Sequence, residues 1–219
     1  MVGASLLDKV RRFNAIKHDD KGRIRLWGIT GILMPNFSRV ISQEYLKSVV
    51  GEKECQRTLY TQGKLQSYFT FRMISERFGY EKKIKDKIRL LCFNLGQGEM
   101  VGHGCYKLKK CDVQNNFFAI TGNSTLAEEY RKLLGITPEP VDHFPRGCFA
   151  AYVEAVTDRE MFCVEKKCIA KGDKSCEFVI KPLFDWNKDD EDFKKQFFKI
   201  PDCKTLIFEL GFKFHKKNR

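Results

Sequence analysis

The 219-residue chain has no long hydrophobic run, and no stretch approaches the ~20 apolar residues that a membrane-spanning helix needs. The opening residues, MVGASLLDKVRRF, lack the apolar centre of a secretory signal. Their glycine stands third rather than second, so they also lack an N-myristoylation pattern. We therefore expect a cytoplasmic protein without a membrane span.

Cofactor fingerprints are also missing. The glycine-rich segment 96–104 (GQGEMVGHG) lacks the G-x-G-x-x-G spacing, and no strand is predicted before it, so it is interpreted as a loop between a helix and a strand. His103 in this segment is a weak candidate for lining a pocket. No Ser-His-Asp or Cys-His pairing can be argued from the order of the residues, and we expect no enzymatic activity.

The charge is unbalanced toward the basic side. Forty Lys and Arg residues oppose 28 Asp and Glu residues, which gives a net charge of +12 and a pI of about 9.3. This excess permits binding to nucleic acid or another anionic surface. The basic clusters, however, lack the aromatic interleaving of an RNA-binding sheet, so a nucleic-acid partner is not favoured.

Cysteine and phenylalanine are abundant. The nine cysteines are odd in number and scattered, which in a reducing compartment predicts mostly buried thiols. The 19 phenylalanines and a hydrophobic content of 42% are sufficient for a real core. Apolar periodicity and turn residues predict helices at 5–16, 37–50, 53–78, 81–94, 124–134 and 147–156, and strands at 24–34, 105–111, 116–121, 160–169 and 176–181.

The most informative segment is 165–178, which reads EKKCIAKGDKSCEF. Cys168 and Cys176 flank a Gly172-Asp173 turn, so we expect them to be cross-strand neighbours with Cβ atoms roughly 5 Å apart. Two sulfurs at that distance can form a disulfide, share a metal ion or pack in the core. A reducing compartment disfavours the disulfide and leaves metal binding or packing.

The same segment carries a family resemblance. A helix that opens with Gly147, a Glu-x-x-Cys motif at 165–168, Gly172 and a Cys-x-Phe motif at 176–178 resemble the 4-vinyl reductase-type small-molecule-binding domain. The resemblance extends loosely over 24–182. It implies an α/β fold of the α+β type, in which an antiparallel sheet packs against helices, as in TRAPP trafficking subunits.

This resemblance also sets the predicted domain limits. Residues 1–23 would form an N-terminal helix and linker, residues 24–182 the ligand-binding domain, and residues 183–219 a C-terminal extension that wraps the domain or a partner.

Some members of this family carry a structural zinc held by three Cys and one Glu. The resemblance implies that Glu165, Cys168 and Cys176 are three of these ligands. The remaining Cys of the family corresponds to Asp142, whose carboxylate is also a possible zinc ligand. Two nearby residues, His143 and Cys148, are the alternative fourth ligands.

An alternative without metal stays open. Asp142 is also placed to cap a helix, Glu165 to be solvated, and the two cysteines to be core thiols. Glu165 and Cys168 are three residues apart, so in an ideal strand they point to opposite faces, and a shared ion requires a bulge or a strong twist between them.

The resemblance finally implies a function. The leading hypothesis is a non-enzymatic sensor that binds a small hydrophobic molecule and forms a homodimer; the residues that contact the ligand are unknown. Two alternatives are an interaction or scaffold protein like the TRAPP subunits and a nucleic-acid-associated regulator. A filled interior together with a large exposed apolar patch would favour the scaffold.

Overall fold

A computed structural model describes residues 16–26, 29–78 and 84–210. The predicted helix at 5–16 therefore lies almost entirely outside the described residues. In chain order, the elements are β1 (Ile16–His18), β2 (Ile24–Leu26), β3 (Ile29–Gly31), α1 (Asn36–Val50), α2 (Glu52–Phe78), α3 (Ile84–Met100), β4 (Gly104–Asp112), β5 (Phe117–Ser124), α4 (Thr125–Leu134), α5 (His143–Thr157), β6 (Met161–Lys167), β7 (Cys176–Pro182), α6 (Glu191–Gln196) and α7 (Cys203–Glu209). Two short 3₁₀ turns follow β6 and β7, at Ile169–Lys171 and Leu183–Asp185.

The main sheet has four antiparallel strands in the order β4-β5-β7-β6. Helix α5 packs on β6 and β7, α3 packs on β4, and α2 packs along α5. A separate three-stranded sheet, β1-β2-β3, precedes α1. The predicted fold class, an antiparallel sheet packed against helices, is confirmed. Within the described residues, no helix combines the length and the apolar character that crossing a membrane requires.

The glycine-rich segment is where the sequence prediction was wrong. Helix α3 continues to Met100, six residues past the predicted end at Asn94, so that only a short turn remains before β4. Gly98 lies within the helix, and a Cβ added to it would be in ordinary contact with the Tyr106 ring of β4, at 3.5 Å. Packing of this helix against the strand thus overrides the weak helix propensity of glycine.

Two helices approach each other closely at glycines. A Cβ at Gly147 of α5 would lie 1.9 Å from the Tyr60 carbonyl oxygen of α2, and one at Gly63 of α2 would lie 2.2 Å from the Phe144 carbonyl oxygen. Gly63 therefore does not interrupt α2, as the sequence indicated, but lets α5 come near. This contact brings Tyr60 close enough to the sheet for its hydroxyl to accept a bond from the Cys163 backbone N–H at 3.0 Å.

Aromatic rings fill the space between the sheet and α5. Phe149 of α5 meets Phe178 of β7 and Tyr106 of β4 edge-on, with ring centroids 4.9 Å and 5.0 Å apart. All three side chains are buried. Edge-to-face packing of this kind is favourable beyond the apolar area that it buries, so this part of the interior is a solid core.

Gly147→Ala is expected to destabilise the fold by several kcal/mol, because the added methyl group would force two packed backbones apart. Gly98→Ala is the matched control: it also lies in a helix, but its methyl group finds ordinary contact distances, so it should be neutral or stabilising by up to about 1 kcal/mol. Urea unfolding of both variants measures the difference. Equal stability of the two would contradict the close approach of α2 and α5.

Candidate metal centre

Four buried acidic groups converge at one end of the main sheet. Asp142, Glu165, Cys168 and Cys176 each offer one ligand atom, and these atoms all lie within 4.8 Å of one another. Each of the four residues is 0% exposed. The structure therefore brings together all four residues that the sequence placed in a metal site; we call them the Asp-Glu-Cys₂ cluster.

A strand irregularity turns Glu165 toward the cluster. The register of β6 against β7 shifts between Glu165, which pairs with Phe178, and Lys167, which pairs with Glu177. This is the bulge that the three-residue spacing of Glu165 and Cys168 required. A bulge inserts one extra residue and re-aims the side chains around it, so both side chains can reach the same point.

Cys168 is held by a tight loop rather than by a strand. β6 ends at Lys167, and Ile169–Lys171 form a 3₁₀ turn, so the predicted strand at 160–169 is two residues too long. Gly172 closes the turn with a φ of +100°, which favours glycine. The Asp173 carboxylate then accepts a hydrogen bond from the Cys168 backbone N–H at 2.9 Å.

Cys176 opens β7 and pairs in register with Gly122 of β5, not with Cys168. The prediction that the two cysteines are cross-strand neighbours is wrong, although their sulfur atoms do come close. The loop brings them together instead: the Ile169 backbone N–H donates to Cys176 Sγ at 3.5 Å. Both thiols are free.

Asp142 comes from the connector between α4 and α5. It precedes α5 at the cap position, but its side chain caps no backbone N–H. Instead, its carboxylate accepts hydrogen bonds from Ser124 Oγ at 2.6 Å and from Cys176 Sγ at 3.4 Å. The alternative role of Asp142 as a helix cap is therefore not what the structure shows.

The two alternative fourth ligands lie outside the cluster. The His143 ring is buried, with Nδ1 3.3 Å from Arg146 Nη1 and Nε2 3.9 Å from a Glu52 carboxylate oxygen. Because arginine can only donate, Nδ1 is the acceptor in this contact. Cys148 is buried on α5, and burial raises the pKa of its thiol to about 12.

Three residues around the cluster were not foreseen from the sequence. Ser124 was predicted only as a helix cap; it does accept from Ala127 N–H, but its hydroxyl also donates to Asp142. Arg146 and Gln196 are buried beside Glu165, Arg146 on α5 and Gln196 on α6. No spacing or motif in the sequence singles out either of them.

Electrostatics make the cluster costly without a cation. Removal from water raises the pKa of Glu165 well above its ordinary value, and the nearby Asp142 raises it further. Burial also raises the pKa of Asp142, although the Ser124 hydroxyl offsets part of this effect. A hydrogen bond from Cys176 lowers the pKa of Cys168 and correspondingly raises that of Cys176. Two buried carboxyl groups and two thiols thus compete for protons.

The donor set fits a metal ion. Oε2 of Glu165 accepts from the Asp142 backbone N–H at 3.2 Å, whereas its buried Oε1 has no hydrogen-bond partner among the described residues. A buried carboxylate oxygen without a partner is unfavourable unless a cation satisfies it. From zinc–sulfur and zinc–oxygen bond lengths, the ligand atoms of a tetrahedral site lie about 3–4 Å apart. The spacing within the cluster needs only slight contraction to reach that range.

Comparison with known protein families bears directly on this site. Residues 128–182 match the model of the 4-vinyl reductase domain family. This segment of the chain is 4-vinyl reductase-like. The match runs from α4 through β7, and so includes all four residues of the Asp-Glu-Cys₂ cluster. It confirms the resemblance predicted from the hairpin, although it does not extend to the predicted start at residue 24. Comparison with curated proteins gives no match.

Solved structures share the fold. The phenol-responsive sensory domain of the transcription activator PoxR, determined with phenol, has a TM-score of 0.68 and 16% identity, covering 90% of this chain and 98% of that one. Trafficking protein particle complex subunit 3 from Naegleria fowleri, covalently bound to palmitic acid, scores 0.49 at 13% identity over 67% and 91%. A vinyl-4-reductase family protein from Methanocaldococcus jannaschii scores 0.42 at 17% identity over 69% and 83%.

Proposed function

We propose that this protein binds a small hydrophobic molecule without catalysing a reaction, and that a structural zinc ion holds its 4-vinyl reductase-like segment together. The observation that carries this proposal is the Asp-Glu-Cys₂ cluster in a fold shared with a phenol-responsive sensory domain. Because all four cluster residues are fully buried, a substrate has no access to them, which supports a structural role. We place the protein in the cytoplasm, where thiols stay reduced.

An apolar groove is the candidate ligand site. It lies between α2 and α7, on the side of α2 turned away from α5, and has a volume of about 780 Å³. Its apolar lining comprises Leu65, Phe69, Pro201, Leu206 and Leu210. This volume falls within the range of ligand pockets, and an apolar lining suits an aromatic molecule. We expected the ligand between the helices and the sheet, but Tyr106, Phe149 and Phe178 fill the space described there.

Leu65→Arg is expected to weaken the binding of phenol by at least about tenfold, because the variant places a charge on the apolar wall of the groove. Titration calorimetry with phenol measures this change. Leu133→Arg is the control: it alters an exposed leucine on α4, outside the groove. Binding of phenol that is equal in both variants would rule out the groove, and the absence of binding in wild type would rule out phenol as a ligand.

The zinc ion would be held by Asp142, Glu165, Cys168 and Cys176. With four protein ligands it has no open position for water, and it supplies cross-linking rather than catalysis. It would join the connector before α5 to β6, the loop and β7. The metal would also replace the protons that otherwise neutralise the buried carboxyl groups.

Wild-type protein is expected to bind one zinc ion per chain, and Cys176→Ser to lower zinc affinity by more than about 100-fold, since even the loss of an outer-shell partner costs about 10–100-fold. Competition with a chromogenic chelator, checked by elemental analysis, measures both quantities. Cys148→Ser is the matched control, because it removes another buried thiol that lies outside the cluster. Zinc-free wild type after loading with zinc would disprove the site.

A second function, self-association, is favoured by the exposed face of α1. Phe37, Ile41, Tyr45 and Val49 recur every four residues and form one apolar strip, and each is between 48% and 71% exposed. Four more exposed apolar side chains flank the strip: Ile32, Leu33, Met34 and Val50. Single exposed apolar residues are ordinary, whereas a contiguous strip marks an interaction surface.

A second copy of this chain is the partner that we propose for the α1 strip. Antiparallel packing of two α1 helices about a two-fold axis midway along the strip would set Ile41 of each copy opposite Tyr45 of the other. If the eight side chains each bury roughly 100 Å², the interface reaches the approximately 800 Å² per partner of a standard complex.

Ile41→Glu combined with Tyr45→Glu is expected to convert a dimer to a monomer, because the contact would bury four unpaired carboxylates. Size-exclusion chromatography with light scattering gives the mass directly. Phe184→Glu is the control, since Phe184 is 81% exposed and lies far along the chain from α1. A monomeric wild-type protein would refute the homodimer and leave the α1 strip to a different partner.

A further inference from the structure

The segment after β7 packs on the edge of the main sheet instead of extending into solvent. We call residues 183–198 the C-terminal strap. Its Trp186, Phe193 and Phe198 are buried and belong to the same hydrophobic core as the sheet. The Phe162 ring of β6 lies 5.7 Å from Phe193 and 5.8 Å from Phe198. The strap therefore covers one face of the edge strand β6.

Polar contacts fix the position of the strap along β6. Lys166 Nζ pairs with Asp190 at 2.6 Å and with Asp192 at 3.1 Å. Asp190 in turn caps α6 by accepting from the Phe193 backbone N–H. At the other end of α6, Lys53 of α2 donates to the Lys195 carbonyl oxygen at 2.6 Å.

One strap residue bonds directly to the backbone of a proposed zinc ligand. The Glu165 backbone N–H donates to Gln196 Oε1 at 2.9 Å, and Gln196 Nε2 donates to the Glu165 carbonyl oxygen at 2.8 Å. The amide side chain thus takes the place of a neighbouring strand at the edge of the sheet. It does so at the bulge that aims the Glu165 side chain into the Asp-Glu-Cys₂ cluster.

A buried arginine ties the same glutamine to α5. Arg146 Nη2 donates to the Gln196 carbonyl oxygen at 3.2 Å, and Nε donates to the Cys163 carbonyl oxygen at 3.2 Å. Among the described residues, its guanidinium forms no ion pair with a carboxylate, although Glu165 and Asp142 lie close enough to favour its charge. Arg146 therefore connects the strap, β6 and the field of the cluster.

The strap also leads to the candidate ligand groove. Pro201, Leu206 and Leu210 form one wall of this groove and follow Gln196 by five to fourteen residues. The position of this wall depends on where the preceding strap is anchored, since only a short connection separates them.

We propose that docking of the C-terminal strap is coupled to occupancy of the Asp-Glu-Cys₂ cluster through Gln196. A metal ion that fixes the Glu165 side chain also restricts the backbone at the bulge, and so favours the geometry in which Gln196 makes both hydrogen bonds. By linkage, the docked strap raises metal affinity by the same factor by which the metal favours docking. This inference rests on the zinc site proposed above and assigns Gln196 a positioning role.

Hydrogen exchange of the full chain, loaded with zinc or treated with a chelator, tests the coupling in wild type. Removal of zinc is expected to speed amide exchange across 186–198 at least about tenfold more than across β4, which is remote from the strap. Equal changes in the two segments, or none, would overturn the coupling. This arm requires no variant, so it remains decisive if substitutions impair folding.

Gln196→Ala provides the reciprocal measurement. It is expected to lower zinc affinity about 10–100-fold, as for outer-shell partners of other metal sites. Lys194→Ala is the matched control, because Lys194 is exposed on the same helix and its ammonium group pairs with acidic side chains beside it. Zinc affinity that is unchanged in Gln196→Ala would refute the coupling while the zinc site stands. A wild type that takes up no zinc would overturn both.

Discussion

The arrangement of this protein depends on one electrostatic constraint, the burial of two carboxyl groups and two thiols within 4.8 Å of one another. Charged groups removed from water are unfavourable unless they are paired, and here the ordinary pairing is incomplete. Ser124 and a backbone N–H satisfy part of the carboxylate oxygens, but Glu165 Oε1 has no partner in the described part of the chain. Protons can neutralise the group only at the cost of raised pKa values, whereas a divalent cation neutralises it and satisfies the remaining oxygen.

The fold produces this cluster by departing from regular structure at three places. A bulge re-aims Glu165, a glycine-closed 3₁₀ turn positions Cys168, and the connector before α5 presents Asp142. Each departure is stabilised from outside: Gln196 holds the bulge, Asp173 holds the turn, and Gln43 donates to the Val141 carbonyl oxygen beside Asp142 at 2.9 Å. Irregular backbone of this kind persists only where the surrounding structure fixes it.

Much of the site could be predicted from the sequence because its ligands lie close together along the chain or match a recognised spacing. The Glu-x-x-Cys motif, Gly172 and the second cysteine have fixed local geometry, and Asp142 followed from its position before Gly147. Ser124, Arg146 and Gln196 could not be predicted, since their roles depend on contacts between segments 17 to 50 residues apart. The glycine-rich end of α3 was missed for a related reason: contact with Tyr106 outweighs local propensity.

The separation between the cluster and the groove explains why the strap matters. The cluster is closed to solvent, so a change in its occupancy can be sensed elsewhere only through an element that touches it and also reaches the surface. Gln196 meets this requirement, because its side chain bonds Glu165 while its chain continues within a few residues to the groove wall. A small molecule that contacts Leu206 and the metal that holds Glu165 would then stabilise the same docked conformation. Each ligand would raise the affinity for the other without any contact between them.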